Sequence, residues 1–196
     1  MTVITINTED TKMLHDADIR DGLCFYLEEK YGEVRFFEEL TIGKSRADIV
    51  MVTRESIYGI EIKSDADTYT RLAKQVKNYN RFFDYNILVV GSTHAAHAME
   101  HVPENWGIIS VEELGDKLDF YEIRAPKATK AKLKTQLQLL WRREIAQIQE
   151  MNHLHKYAGK SRKFVEEYVL GKVDTVKLKE QLIGILFERD YTIFDD

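Results

Sequence analysis

The sequence predicts an α/β fold in which helices flank a mixed central β-sheet and a C-terminal helical appendage follows. Three observations predict it. Runs rich in β-branched and aromatic residues recur at 34–42, 46–52, 56–63, 86–92 and 106–111, each of strand length and bounded by turn-forming or charged residues. Between and before these runs, apolar residues recur at helical spacing. A last candidate strand at 118–125 ends just before Pro126, and beyond it only helical patterns remain.

Taken in order, residues 11–31 place Ile19, Leu23, Tyr26 and Leu27 on one helical face that ends before Gly32. Three strands follow as a meander, VRFFEELTI, RADIVMV and SIYGIEIK, separated by GKS and by Thr53-Arg54-Glu55. A helix over 67–83 is expected to start on Asp67 or Thr68 as its cap, and NILVVGS is the next strand. THAAHAMEHV reads as helix and WGIISV as strand, so the order is α-β-β-β-α-β-α-β. In the appendage, Leu133, Leu137, Leu140, Trp141, Ile145 and Ile148 repeat at helical spacing, with further amphipathic stretches at 161–170 and 175–189, the last capped by Asp174 or Thr175. The expected division is a core at 1–125 and a basic helical appendage at 126–196.

Composition narrows the setting. The 196 residues are 44% hydrophobic and 31% charged, enough apolar surface for a packed core. The single cysteine, Cys24, sits in an apolar helical pattern and reads as a buried thiol. With no basic start before an apolar stretch and no apolar run of membrane-spanning length, the expectation is a cytoplasmic protein of a bacterial or phage-infected cell with no membrane partner. The net charge of -5 hides an uneven distribution: residues 1–125 carry 14 basic against 23 acidic groups, and residues 126–196 carry 14 against 10. The excess is densest at 127–163, where 10 basic residues face only Glu144 and Glu150, so this tail is the expected nucleic-acid surface. Oligomeric state stays open, a homodimer included.

Three ionised groups interrupt the strand-like runs: Asp48 in RADIV and Glu61 with Lys63 in EIK. A reversal centred on Arg54-Glu55, whether two or four residues wide, makes Asp48 and Glu61 cross-strand neighbours, with Cβ atoms about 5 Å apart. Alternation puts Lys63 on the same face and turns Ile60 and Ile62 to the other. Two opposed carboxylates repel and are expensive to desolvate, so the pair needs a cation. A divalent ion such as Mg²⁺ takes one or two carboxylates plus water and phosphate oxygens. Lys63 would then hold a phosphate oxygen or orient a water; equally, Lys63 alone could neutralise the pair as a structural ion pair.

RADIV, a short reversal and EIK, in this element order, resemble the PD-(D/E)XK nuclease superfamily, with Ala47 where the proline of that name would stand. Gln75 and Tyr79 in KQVKNY match the Q-x-x-x-Y element of its RecB-type branch and lie at i and i+4 on one helix face. EIKSDADTYTRLAKQVKNYNRFFD, with LVVGSTHAAHA and VPENWGI, is similar to a little-characterised bacterial and phage group within that superfamily, over approximately residues 15–125.

The resemblance implies a restriction-endonuclease-like core and Mg²⁺- or Mn²⁺-dependent phosphodiester hydrolysis, with DNA as the expected substrate. Asp48, Glu61 and the Ile62 backbone carbonyl would bind the metal, Lys63 would position the attacking water, and Gln75 and Tyr79 would hold the site or the strand. A third acid is expected from Glu39, which a two-residue turn at Gly43-Lys44 sets opposite Asp48; a three-residue turn would turn it away, and Glu28 is the fallback. The other reading is a catalytically silent nuclease-fold module that binds DNA or a protein partner. His94, His97 and His101 share a helical face, but no cysteine or acid completes a zinc site there.

Overall fold

The computed structural model describes residues 14–190. Six strands form one mixed sheet in sequence order: β1 (Arg35–Ile42), β2 (Ser45–Val52), β3 (Ile57–Lys63), β4 (Tyr85–Gly91), β5 (Gly107–Leu114) and β6 (Lys117–Arg124). The first three strands are antiparallel, β3, β4 and β5 are parallel, and β6 returns antiparallel to β5. Parallel neighbours need a crossover, and helix α2 (Leu72–Phe82) supplies the one from β3 to β4.

Side-chain alternation divides the core into two layers. Ile49, Met51, Ile60, Ile62, Ile87 and Val89 face helix α1 (Asp16–Tyr31), which buries Ile19, Leu23 and Leu27 against them. Val50, Val52, Leu88 and Val90 face the other way, toward Tyr79, Phe82 and Phe83 at the end of α2. Asp48 shares the parity of Val50, and Glu61 and Lys63 alternate with Ile60 and Ile62, so all three belong to the α2 layer. Gly59 lets α2 come this close: a Cβ there would lie 2.0 Å from the Phe83 ring and 2.7 Å from the Tyr79 ring.

The β1–β2 reversal is the two-residue turn, with Ile42 paired to Ser45 and Gly43 at φ 62° in its first position. The β2–β3 reversal is the wider form: the Thr53 N–H donates to the Ser56 carbonyl, and the ladder runs from Val52↔Ile57 to Ile49↔Ile60.

Other expectations need correction. Thr68 holds the N-cap position of the helical stretch after β3 but makes no side-chain cap bond, and Asp67 does not cap it. The Asp67 carboxylate instead accepts from the Ser64 N–H and hydroxyl, and the chain makes a 3₁₀ turn at Tyr69–Arg71 before α2 begins. THAAHAMEHV is two single-turn helices, α3 (Ser92–Ala95) and α4 (Ala98–His101), too short to share one helical face. His94 approaches the Asp67 carbonyl and packs edge-on to Tyr69, His101 stacks on the same Tyr69 ring, and His97 pairs with Glu100.

The run from Leu133 is also broken. It forms α5 (Leu133–Gln136), a 3₁₀ turn and then α6 (Arg142–Met151), because the Glu144 carboxylate takes the Trp141 N–H and starts a new helix there. Helices α7 (Arg162–Lys172) and α8 (Thr175–Phe187) follow, the second capped by the Asp174 carboxylate on the Val176 and Lys177 N–H groups. Leu137, Ile145, Val169 and Leu182 lie in the same hydrophobic cluster as Val50 and Leu88, so the appendage and the sheet share one core. No described helix is long and apolar enough to cross a membrane.

Candidate active site

The β2–β3 ladder ends at Ile49↔Ile60, one pair short of Asp48 and Glu61. There the Ile62 N–H donates to Asp48 Oδ2 at 2.8 Å, a carboxylate taking the place of a strand carbonyl. The Tyr79 hydroxyl spans the same gap, donating to Glu61 Oε2 at 2.7 Å and accepting from the Asp48 N–H at 3.3 Å. One phenol on α2 therefore holds the two strands in place where their own pairing stops.

Glu61 is fully buried and held on both oxygens. Gln75 Nε2 and the Lys63 amine donate to Oε1, opposite the Tyr79 contact. The Lys63 amine also donates to the Ile62 carbonyl at 3.2 Å. Lys63 thus bridges two of the four expected metal ligands, Asp48, Glu61, the Ile62 carbonyl and Glu39. Burial, then the Glu61 charge, pushes the Asp48 carboxyl up to about 7, while the Ile62 N–H and Lys63 work against the rise. Burial, then Glu61, also lifts the Tyr79 phenol well above its ordinary range, so it stays a donor.

Glu39 occupies the position opposite Asp48 in the β1–β2 register, with the flanking pairs Glu38↔Ile49 and Leu40↔Ala47 in place. Its backbone is left-handed at φ 54°, a conformation that costs a non-glycine residue about 1–3 kcal/mol and interrupts the ladder at this point. Its carboxylate meets Arg20 and Arg46. Arg20 also binds Asp16 Oδ2 at 2.6 Å and the Asp48 carbonyl at 3.1 Å, which draws Asp16 from the start of α1 into the group. Glu28, the fallback acid, is exposed elsewhere on α1.

Asp16, Glu39, Asp48, Glu61, Ile62, Lys63 and Gln75 line one cavity of about 670 Å³; Tyr79 acts from beneath its floor. Sequence reasoning missed Asp16 and Arg20, whose only signal was an acid and an arginine four residues apart at a helix start. Two buried oxygens on the cavity walls, Asp16 Oδ1 and Gln75 Oε1, accept no hydrogen bond, whereas Glu39 Oε2 is met by Arg46. Oxygen acceptors left without donors beside a half-buried Asp48 and a buried Glu61 match the donor set of a hard divalent cation. Among the described residues, no group of three or more His, Cys, Asp or Glu side chains is gathered closely enough to hold a metal ion alone. An ion here would therefore rest on Asp48, Glu61 and the Ile62 carbonyl, with its other positions open.

These features define an α/β protein with a half-buried and a buried acid, a lysine and an amide in one cleft. The chain belongs to the family described as bacteriophage P4 protein cII, which matches it over residues 12–194. No curated protein matches it. Among solved structures it is similar to a protein of unknown function from Silicibacter pomeroyi, at 17% identity and a TM-score of 0.48, over 80% of this chain and 99% of that one.

Proposed function

We propose that this protein is a divalent-metal-dependent nuclease with a restriction-endonuclease-like core, cleaving phosphodiester bonds in DNA. One observation carries the reading: Asp48 and Glu61 leave the sheet ladder at the same level and open, with Lys63 and Gln75, into a cavity whose walls hold unsatisfied oxygens. A purely structural ion pair would need no such opening. Antiparallel β1–β3, parallel β3–β5, and α1 and α2 on opposite faces support the finer fold assignment.

Asp48, Glu61 and the Ile62 carbonyl would hold Mg²⁺ or Mn²⁺, whose chemistry there is to polarise a phosphoryl oxygen and acidify water. The chain's own residues do the rest. Gln75 and Tyr79 fix the Glu61 carboxylate in one orientation, the role of outer partners in metal sites. The Lys63 amine, already directed at this point, can exchange its Ile62 carbonyl contact for a phosphate oxygen or the attacking water. Arg20 neutralises Asp16 and Glu39, which limits the charge placed next to an anionic substrate.

The competing reading, a silent module that binds DNA or a protein, draws on the same arginine and lysine, since they already neutralise three of the acids. A cleavage panel of linear, nicked, branched and single-stranded DNA with Mn²⁺ separates the two. The nuclease reading expects products from the wild type and none from Glu61→Ala or with EDTA. Cleavage indifferent to both treatments, or none on any substrate, rejects it.

A further inference from the structure

The expected nucleic-acid surface was the basic tail, but many of its cations are engaged. Lys134 pairs with Glu167, Lys156 with Glu150, Lys179 with Asp84 and Arg189 with Glu144, while Arg162 binds Glu166 and three backbone carbonyls. Several of these bonds fasten the appendage to itself or to the sheet. The rim of the acidic cavity differs. Lys44, Arg71 and Lys74 line its mouth, are exposed, and have no side-chain partner among the described residues.

These three cations stand on opposite banks. Lys44 is on the β1–β2 turn, whereas Arg71, at the end of the 3₁₀ turn, stands one helical turn before Gln75, which reaches Glu61 on the floor, and Lys74 follows Arg71 at i+3. The banks are tied together: Asn78 on α2 donates to the Ser45 hydroxyl beside Lys44, and Phe82 packs under Gly43. The spacing across the mouth is thus built in. A polyanion drawn toward two carboxylates is repelled unless its neighbouring charges are compensated, and unpaired cations on both sides of the floor do that.

We propose that Lys44 on one bank and Arg71 with Lys74 on the other grip the phosphates flanking the one that lies over Asp48 and Glu61. The ligand is a polynucleotide strand running across the cleft, with phosphates on both sides of the central one. This inference rests on the nuclease reading for what the central phosphate does, but the grip itself is a binding property.

The test measures binding in EDTA, where no metal-dependent turnover confuses it, by fluorescence anisotropy with labelled single-stranded DNA, duplex DNA and RNA across a salt series. The combined variant Lys44→Gln, Arg71→Gln, Lys74→Gln is compared with Lys130→Gln, Lys172→Gln, Lys177→Gln, which removes the same charge from exposed positions on the appendage. Each lost phosphate contact lowers the slope of log K against log salt by about 0.7–0.9, so the rim variant should lose about 2–3 in slope and at least about tenfold in affinity. The appendage variant should lose less than about one unit of slope. The nucleic acid bound most tightly identifies the strand type. Equal losses from the two variants, a rim variant that binds like the wild type, or a wild type that binds none of the three overturns the proposal. Rim-dependent binding without cleavage upholds the grip and retires the nuclease reading alone.

Discussion

Replacing Asp48 with Asn should make the metal-free protein more stable at neutral and alkaline pH. The Asp48 carboxyl is held near 7 by burial and by Glu61, against about 3.9 in an unfolded chain. The folded state therefore binds this proton more tightly than the unfolded state does. Stability is full below about pH 4, declines as the pH rises to about 7 and is level above it. Three units at about 1.36 kcal/mol each put the loss at up to about 4 kcal/mol. Asparagine keeps an oxygen for the Ile62 N–H and carries no charge, so Asp48→Asn should exceed the wild type by about 2–4 kcal/mol near pH 8 and by little near pH 4. Urea denaturation across this range reads the difference. Mn²⁺ at about 100 times its Kd should then return about 2.7 kcal/mol to the wild type and little to the variant. An asparagine variant that is less stable at every pH, or equal stabilisation of both proteins by Mn²⁺, would refute the reasoning.

Three further outcomes follow from the packing. Tyr79→Phe removes the bridge between the Asp48 N–H and Glu61, so it should lower stability by about 1.5–3 kcal/mol and reduce cleavage, measured by denaturation and on the DNA panel. Gly59→Ala drives a methyl into the Phe83 and Tyr79 rings and should cost about 1–3 kcal/mol by the same denaturation assay. Arg189→Ala strands Glu144 in the interior, where the pair's side chains are 1% and 5% exposed, and should cost about 3–5 kcal/mol, lowering the melting temperature of the appendage and sheet together.

Much of the sheet was legible because strand pairing has a period of two and charges in apolar runs report it. The positions of Asp48, Glu61 and Lys63 placed three groups in one layer, and the register that pairs Val50 with Gly59 puts them there. Strand bounds shifted by one residue, except that β5 continues three residues past 111 to Leu114. What could not be read was the fate of particular side chains. Asp67 looks like a helix cap in sequence, yet its carboxylate binds Ser64, and only the three-dimensional turn decides between the two. The leucine run from Leu133 has one helical period throughout, but Glu144 recruits the Trp141 N–H and splits it. Asp16 and Arg20 escaped notice because their role depends on where α1 crosses the end of β2, a tertiary fact with no local signature. Charge counting registers how many cations a segment carries and not how many are already bonded, as Lys134 is to Glu167 and Lys156 to Glu150.

The account stands on Asp48 and Glu61 converging on one divalent ion. Anomalous diffraction from crystals soaked in Mn²⁺ reads this directly, with Asp48→Asn crystals as the comparison. The account predicts a peak within coordination distance of both carboxylates and the Ile62 carbonyl in the wild type and a lost or weakened peak in the variant. Wild-type crystals with no peak there, or with Lys63 still bridging Glu61 and the Ile62 carbonyl at saturating Mn²⁺, would contradict it.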